Sequence, residues 1–352
     1  MGRIMAVKSL AIKYRPQTWE DVTEQGSTKI ILQQQLASHE VKNAYLFCGP
    51  AGCGKTTCAR IFAHDINNGQ GNPIELDAAS NNSVDDVREI IQQAQTKSLD
   101  SEYKIFIIDE CHALSNSAWQ AMLKLIEEPP AKSIFIFCTT DPQKIPKTII
   151  SRVQRYDFQR ISQKGIVQRL KQILHDEGIY VTAKEMETIS PSVEYIAKIA
   201  DGGMRDAITL MDKSLAYSRI LTLQNVVNAL GTVEYDVMIK LSDAILKRDM
   251  SDSIRVIEEL YASGKDLKQF VKQYTQFLLD VQKYDIGRLW EYMTIPRLAD
   301  YEKWLEDLKG SDFDTLNNLL STMINLNADI KYSSTPKYDI EATLFVEYGS
   351  EA

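Results

Sequence analysis

Over its first 160 or so residues the chain alternates short apolar runs with stretches whose apolar positions recur at helical spacing. The runs predict strands at Ala44–Cys48, Ile74–Asp77, Lys104–Asp109, Ser133–Thr139 and Gln154–Phe158. The third and fourth are almost unbroken aliphatic and aromatic sequence, as parallel strands buried on both faces require. Helical segments fall between them at Lys55–Ile66, Val84–Thr96 and Ser117–Glu127. The last carries Trp119, Met122, Leu123 and Ile126 on one face and is stopped by Pro129 and Pro130. This alternation predicts an α/β domain with an open, parallel five-stranded sheet. After Ile161 no run reads as a strand. Short helices are expected at Gly165–Glu177, Ala183–Ile189, Val193–Ala200 and Met204–Tyr217, and residues 222–352 are helical with loop signals near Gly231, Gly264, Gly310 and Ser333–Pro336.

The 352 residues carry 40 basic and 48 acidic side chains, a net charge of −8 that speaks against a general basic coat for nucleic acid. The imbalance is local. Residues 1–155 hold 17 of each sign and residues 156–219 hold 9 of each, so the last third, with 14 basic and 22 acidic, contains the whole excess. That shift predicts a domain boundary near residue 220. The five cysteines, Cys48, Cys53, Cys58, Cys111 and Cys138, form no CxxC pair, and their odd number reads as reduced thiols in a cytoplasmic protein. No apolar leader and no membrane-length apolar run is visible.

The segment Gly49, Pro50, Ala51, Gly52, Cys53, Gly54, Lys55, Thr56 fits G-x-x-x-x-G-K-[ST], follows a predicted strand and opens a predicted helix. Glycines let successive N–H groups face phosphates at the positive end of a helix, where Thr57 continues the first turn. Lys55 is placed to neutralise the outer phosphates and Thr56 to ligate Mg²⁺. A buried strand then ends in Asp109 and Glu110. Asp109 would hold Mg²⁺, usually through water; Glu110, lacking a strong partner in sequence, would polarise the attacking water. Thr139 and Thr140 end the next strand, where a hydroxyl can orient water. Arg152 and Arg205 present fixed donors suited to transition-state charge, though a lone arginine is as readily a surface residue.

Six segments, AIKYRPQTWEDV (11–22), GPAGCGKTT (49–57), LDAASNNSVDDVREI (76–90), IDECHALSNSAWQAMLKLIEEPP (108–130), TTDPQKIPKTIISR (139–152) and GGMRDAITLMDKS (202–214), together resemble the AAA+ clamp-loader ATPase subunits of bacterial DNA polymerase III, the gamma/tau family. The resemblance is collinear over residues 10–217 and looser through 230–236 and 340–344. It implies an AAA+ nucleotide-binding domain (1–161), a helical lid domain (162–221) and an all-α collar (222–352) that assembles five subunits into a ring. It implies ATP and Mg²⁺ as cofactors, and the sliding clamp, sister subunits and primer–template DNA, but no membrane, as partners. Lys55, Thr56, Asp109 and Glu110 correspond to the catalytic set, Thr140 to a sensor, Arg205 to a lid arginine on the γ phosphate, and Arg152 to the finger that reaches a neighbour's ATP. Tyr14, Arg15, Pro16 and Val22 match the segment around the adenine.

Most relatives carry four zinc-binding cysteines between the P-loop helix and the second strand. Here residues 63–73 hold only His64 and Asp65 as candidate ligands, so no zinc is expected. Val153 replaces the cysteine of Ser-Arg-Cys, and the sequence closes with the collar, without the extension that grips helicase and polymerase. These departures point to a phage-encoded or otherwise divergent loader. For DNA, Asn82 and Ser83 open the Val84–Thr96 helix with Arg88 one turn further in. That reads equally as a phosphate contact and as a plain helix cap. Leu114 and Trp119 fall where relatives touch the clamp, or they are core. Two alternatives belong to other classes. A non-hydrolysing scaffold subunit would be expected to lose its P-loop, and a branch-migration motor would carry a winged helix that residues 222–352 do not show.

Overall fold

The computed structural model describes residues 8–230 and 235–349. The loop expected at Gly231 and most of the 230–236 match lie outside the described residues. Strands β1 (Ala44–Cys48), β2 (Ile74–Asp77), β3 (Lys104–Asp109), β4 (Ser133–Thr139) and β5 (Gln154–Asp157) form one sheet, every pairing parallel, in the order β2-β3-β4-β1-β5. Four strands have their expected limits and β5 stops one residue early at Asp157. Register aligns Cys48 with Thr139 and Asp77 with Asp109. The carboxyl ends of β1, β3 and β4 thus share one rim, the place where open parallel sheets bind ligands.

Alternation along the strands divides the core in two. Leu46, Phe106, Ile108, Phe135 and Phe137 pack with Val87, Ile90, Trp119 and Met122 of the helices Val84–Ala94 and Asn116–Glu127. Tyr45, Phe47, Ile105, Ile107, Ile134 and Ile136 pack on the opposite face with Cys58, Ile61 and Phe62 of the helix Lys55–Ile66. An unbroken apolar run therefore serves two layers at once, which is why β3 and β4 need no polar alternation. Leu114 and Trp119, weighed for a clamp surface, are 6% and 2% exposed within this core.

Beyond the sheet the described residues hold helices and no strand. Gln163–Asp176 is capped by the Ser162 hydroxyl, and Met204–Tyr217 has its expected limits. The two helices expected at 183–189 and 193–200 are instead one, Ala183–Ile199, with Pro191 inside. A proline removes one helical donor, here the partner of the Glu187 carbonyl. Glu187 is exposed, so water can take that carbonyl, and the Thr182–Glu185 capping box holds the helix start. By their contacts the residues gather into two compact units: one runs to Met186 and includes Ile196–Asp212, and the other holds Glu187–Tyr195 and continues from Lys213.

In the second unit the long helices Leu267–Gly287 and Gly310–Asp329 pack on one another. Asp280, fully buried, pairs with Lys283 at 2.8 Å and accepts from Thr294 and Ile295, which fastens the segment after the first of these helices. A buried carboxylate is tolerable only when its oxygens are satisfied in this way. No helix among the described residues is long and apolar enough to cross a membrane.

Candidate functional site

The loop between β1 and the helix Lys55–Ile66 owes its path to glycine. Gly49, Gly52 and Gly54 have φ of +152°, +70° and +104°. A Cβ on Gly49 would lie 2.5 Å from the Phe158 carbonyl, and one on Gly52 would lie 2.9 Å from Gly203 Cα. Both obstacles are backbone, so no larger residue fits. The Met204 amide donates to the Gly52 carbonyl (3.0 Å), which joins the loop to the start of the Met204–Tyr217 helix.

A single cavity wall brings together Tyr14, Arg15, Pro16, Val22, residues 51–57, Asp109, Glu110 and Arg205. Most of the residues expected at the nucleotide therefore meet. Gly49 and Pro50 stand behind the wall, and their carbonyls accept from the Lys55 ammonium at 2.9 and 2.8 Å. Lys55 is 6% exposed, so its charge is held against the loop by these two acceptors. The Thr56 hydroxyl donates to Asp109 Oδ2 (2.8 Å), and the Glu110 amide donates to Asp109 Oδ1 (3.0 Å).

Glu110 is not the unpartnered carboxylate that its sequence context implied. Its Oε2 accepts from the Thr140 hydroxyl (2.9 Å) and lies 3.2 Å from His112 Nδ1. Its backbone is left-handed (φ +45°), at the entry to the 3₁₀ turn Cys111–Ala113. Thr140 thus reaches the site through Glu110, and it is not part of the cavity wall.

Arg152 lies away from the wall. Its guanidinium pairs with Glu127 (2.7 Å) and donates to the Thr148 carbonyl and the Ser151 hydroxyl at 2.8 and 3.1 Å. Near the expected DNA segment, Ser83 and Asp86 form a reciprocal capping box and Arg88 pairs with Asp85 (2.7 Å); all four belong to the start of the Val84–Ala94 helix. Asn82 contributes its carbonyl to the Ser115 amide (3.1 Å).

The cavity also includes Arg169, which no motif marked, and Asp206 and Ile208, which lie in the 202–214 segment but were given no role there. Arg169 donates to the Tyr14 carbonyl (3.2 Å), and the Tyr14 hydroxyl donates to Glu177 (2.6 Å). Burial and that carboxylate raise the Tyr14 phenol well above its usual pKa, so it stays a donor. All five cysteines are free and buried. Burial pushes Cys53, inside the phosphate loop, above its ordinary value.

Three family models match in sequence order: "DNA polymerase III, delta subunit" over residues 74–162, "DNA polymerase III clamp loader subunit, ATPase lid domain" over 165–219, and "DNA polymerase III subunits gamma and tau domain III" over 221–345. The tau subunit of DNA polymerase III from Bacillus subtilis is 38% identical over 302 residues, which make up 80% of this chain and 52% of that protein. The chain thus spans about half of that relative's length. The gamma subunit from Buchnera aphidicola is 28% identical over 97% of this chain and 98% of its own. Among solved structures, the branch-migration motor RuvB of Thermotoga maritima superposes with a TM-score of 0.52 at 18% identity, covering 72% of this chain and 86% of that one. That likeness is one of fold, the AAA+ P-loop ATPase fold with its parallel five-stranded sheet. With the lid and the third domain matched in the same order, the chain belongs to the gamma/tau family of DNA polymerase III clamp-loader subunits.

Proposed function

We propose that the chain is an ATP-hydrolysing clamp-loader subunit acting within a five-subunit ring in the cytoplasm, opening a sliding clamp and loading it onto primer–template DNA. In this reading residues 1–161 bind nucleotide, 162–221 form the lid and 222–352 the collar. One observation carries it: Thr56, Asp109, Glu110 and Thr140 are linked by consecutive hydrogen bonds at the rim beside a glycine loop whose lysine is poised under it. A scaffold subunit has no use for that chain of contacts.

The donor set fits Mg²⁺. Thr56 Oγ1 and Asp109 Oδ2 stand 2.8 Å apart. Both are hard oxygens, the donor type that Mg²⁺ takes. When bound, the ion would supply neutralisation of the phosphate charge. No zinc enters this reading.

The protein's own groups do the rest. Loop N–H groups and Lys55 hold the phosphates, and Tyr14, Arg15, Pro16 and Val22 receive the base. Glu110 takes a proton from water as its oxygen bonds to the γ phosphorus and the bond to the bridging oxygen breaks, releasing ADP and phosphate. Arg205 supplies charge from the lid, and Arg152 exchanges Glu127 for the ATP of a neighbouring subunit. An isolated subunit is then a poor ATPase. The test is ATP turnover by the assembled ring, alone and with clamp plus primed DNA. Turnover that clamp and DNA fail to stimulate would sink the loader reading.

A further inference from the structure

We propose that His112 is a positioning residue for Glu110, its imidazole and the Thr140 hydroxyl together fixing one carboxylate oxygen so that the other receives the proton of the attacking water. The inference rests on the ATPase reading above and assigns a role to a residue which that reading leaves unused.

The geometry comes from the backbone. Glu110 leaves β3 in the left-handed region, and the 3₁₀ turn closes at once, with the Ala113 amide on the Glu110 carbonyl at 2.9 Å. So tight a reversal returns the ring of His112 to the side chain two positions earlier, and Nδ1 comes 3.2 Å from Glu110 Oε2. The same nitrogen lies 3.2 Å from the hydroxyl of Thr139, the fully buried last residue of β4. That hydroxyl is itself fixed, since it accepts from the Asp141 amide (3.0 Å). The imidazole is therefore wedged between the end of one strand and the carboxylate that follows its neighbour.

Chemistry assigns the proton. A carboxylate oxygen attracts the N–H edge of a ring and repels its lone pair, so Nδ1 is assigned the hydrogen; it bonds the Thr139 hydroxyl and lies in ion-pair range of Glu110. Oε2 accepts from the Thr140 hydroxyl at 2.9 Å and has the imidazole Nδ1 in ion-pair range at 3.2 Å. A glutamate alone rotates about three side-chain bonds, and fixing one oxygen removes most of that freedom before substrate arrives. The His112 side chain is 21% exposed, so its place is the site rim and not the core.

The experiment compares ATP turnover by the assembled ring, with clamp and primed DNA, for wild type, His112→Ala, His112→Asn, His112→Gln, Glu110→Gln and the double variant Glu110→Gln/His112→Ala. An asparagine amide can occupy the place of Nδ1, whereas a glutamine amide falls at the place of Nε2. His112→Ala should lower kcat about tenfold, the worth of one lost positioning contact, with KM for ATP unchanged. His112→Asn should recover most of the rate and His112→Gln should not, a contrast that holds even where the alanine variant folds poorly. In the Glu110→Gln background the alanine change should add nothing. Unchanged kcat in His112→Ala, equal rates for the asparagine and glutamine variants, or full additivity would overturn the proposal while the wild-type turnover upholds the ATPase. A wild-type ring inert with clamp and DNA would overturn both.

Discussion

The Thr56 hydroxyl donates to Asp109 Oδ2 across 2.8 Å, tying the first turn of the phosphate-loop helix to the end of β3. In the proposed reading both atoms hold the divalent cation, so removing either should uncouple nucleotide affinity from Mg²⁺. For the wild type, chelating Mg²⁺ should weaken binding of a fluorescent ATP analogue tenfold or more, on the order of one charge-assisted contact. Asp109→Ala should bind weakly with and without chelator, the two titrations coinciding. A variant that keeps the full response to chelation would show that the ion is held elsewhere.

Lys55 and Arg152 should separate binding from chemistry. Lys55 lies under the loop at 2.9 and 2.8 Å from two carbonyls, and Arg152 lies outside the cavity wall on Glu127. Lys55→Ala should therefore abolish nucleotide binding by the single chain. Arg152→Ala should leave that binding intact yet reduce turnover of the assembled ring by about 10³-fold or more, the usual worth of an arginine supplied in trans. Equilibrium binding on the isolated chain and turnover on the ring read the two separately. Loss of binding in Arg152→Ala would refute a role in trans.

The sheet and the phosphate loop were readable from the order of residues because each depends on local sequence. A run such as Ile105–Ile108 can only be buried on two faces, and a glycine loop between strand and helix has few other uses. What escaped was set by tertiary register. Thr140 reaches Glu110 because β4 lies beside β3 with Ile108 opposite Phe137 and because Glu110 turns left-handed. No spacing of residues announces either fact. Arg169 was invisible for the same reason: it meets Tyr14 only after the chain has folded 155 positions back on itself. The helix across Pro191 shows the reverse error, a strong local signal overruled where the residue that loses its bond, Glu187, is exposed to water.

Trp119 gives a test of core against surface. It is 2% exposed among Phe137 and Met122, and its indole N–H finds no acceptor among the described residues. Trp119→Ala should cost about 3–5 kcal/mol by leaving a cavity. Trp119→Phe should cost much less, because ring volume is largely kept and no hydrogen bond is lost. Urea unfolding monitored by circular dichroism measures both. Were Trp119 a docking residue, alanine would spare stability and weaken clamp binding alone.

The buried thiols carry a pH signature whose sign follows from linkage. Burial raises Cys48 to about 11 and Cys58 to about 12, and it lifts Cys111 and Cys138 well above the ordinary value. In the unfolded chain each would ionise near 8.5. Between that value and about 11 to 12 the native state binds more protons than the unfolded state, so stability declines as pH rises through this window and is untouched below it. Thiolate is the reactive form, and here it is withheld by folding. Native protein at pH 8 should take up no iodoacetamide, while protein in guanidinium should take up five equivalents, one for each free cysteine. Intact mass spectrometry counts the adducts. Rapid native labelling at Cys53 would place an accessible thiolate inside the phosphate loop and overturn the assignment, and nucleotide protection of that labelling would show where it sits.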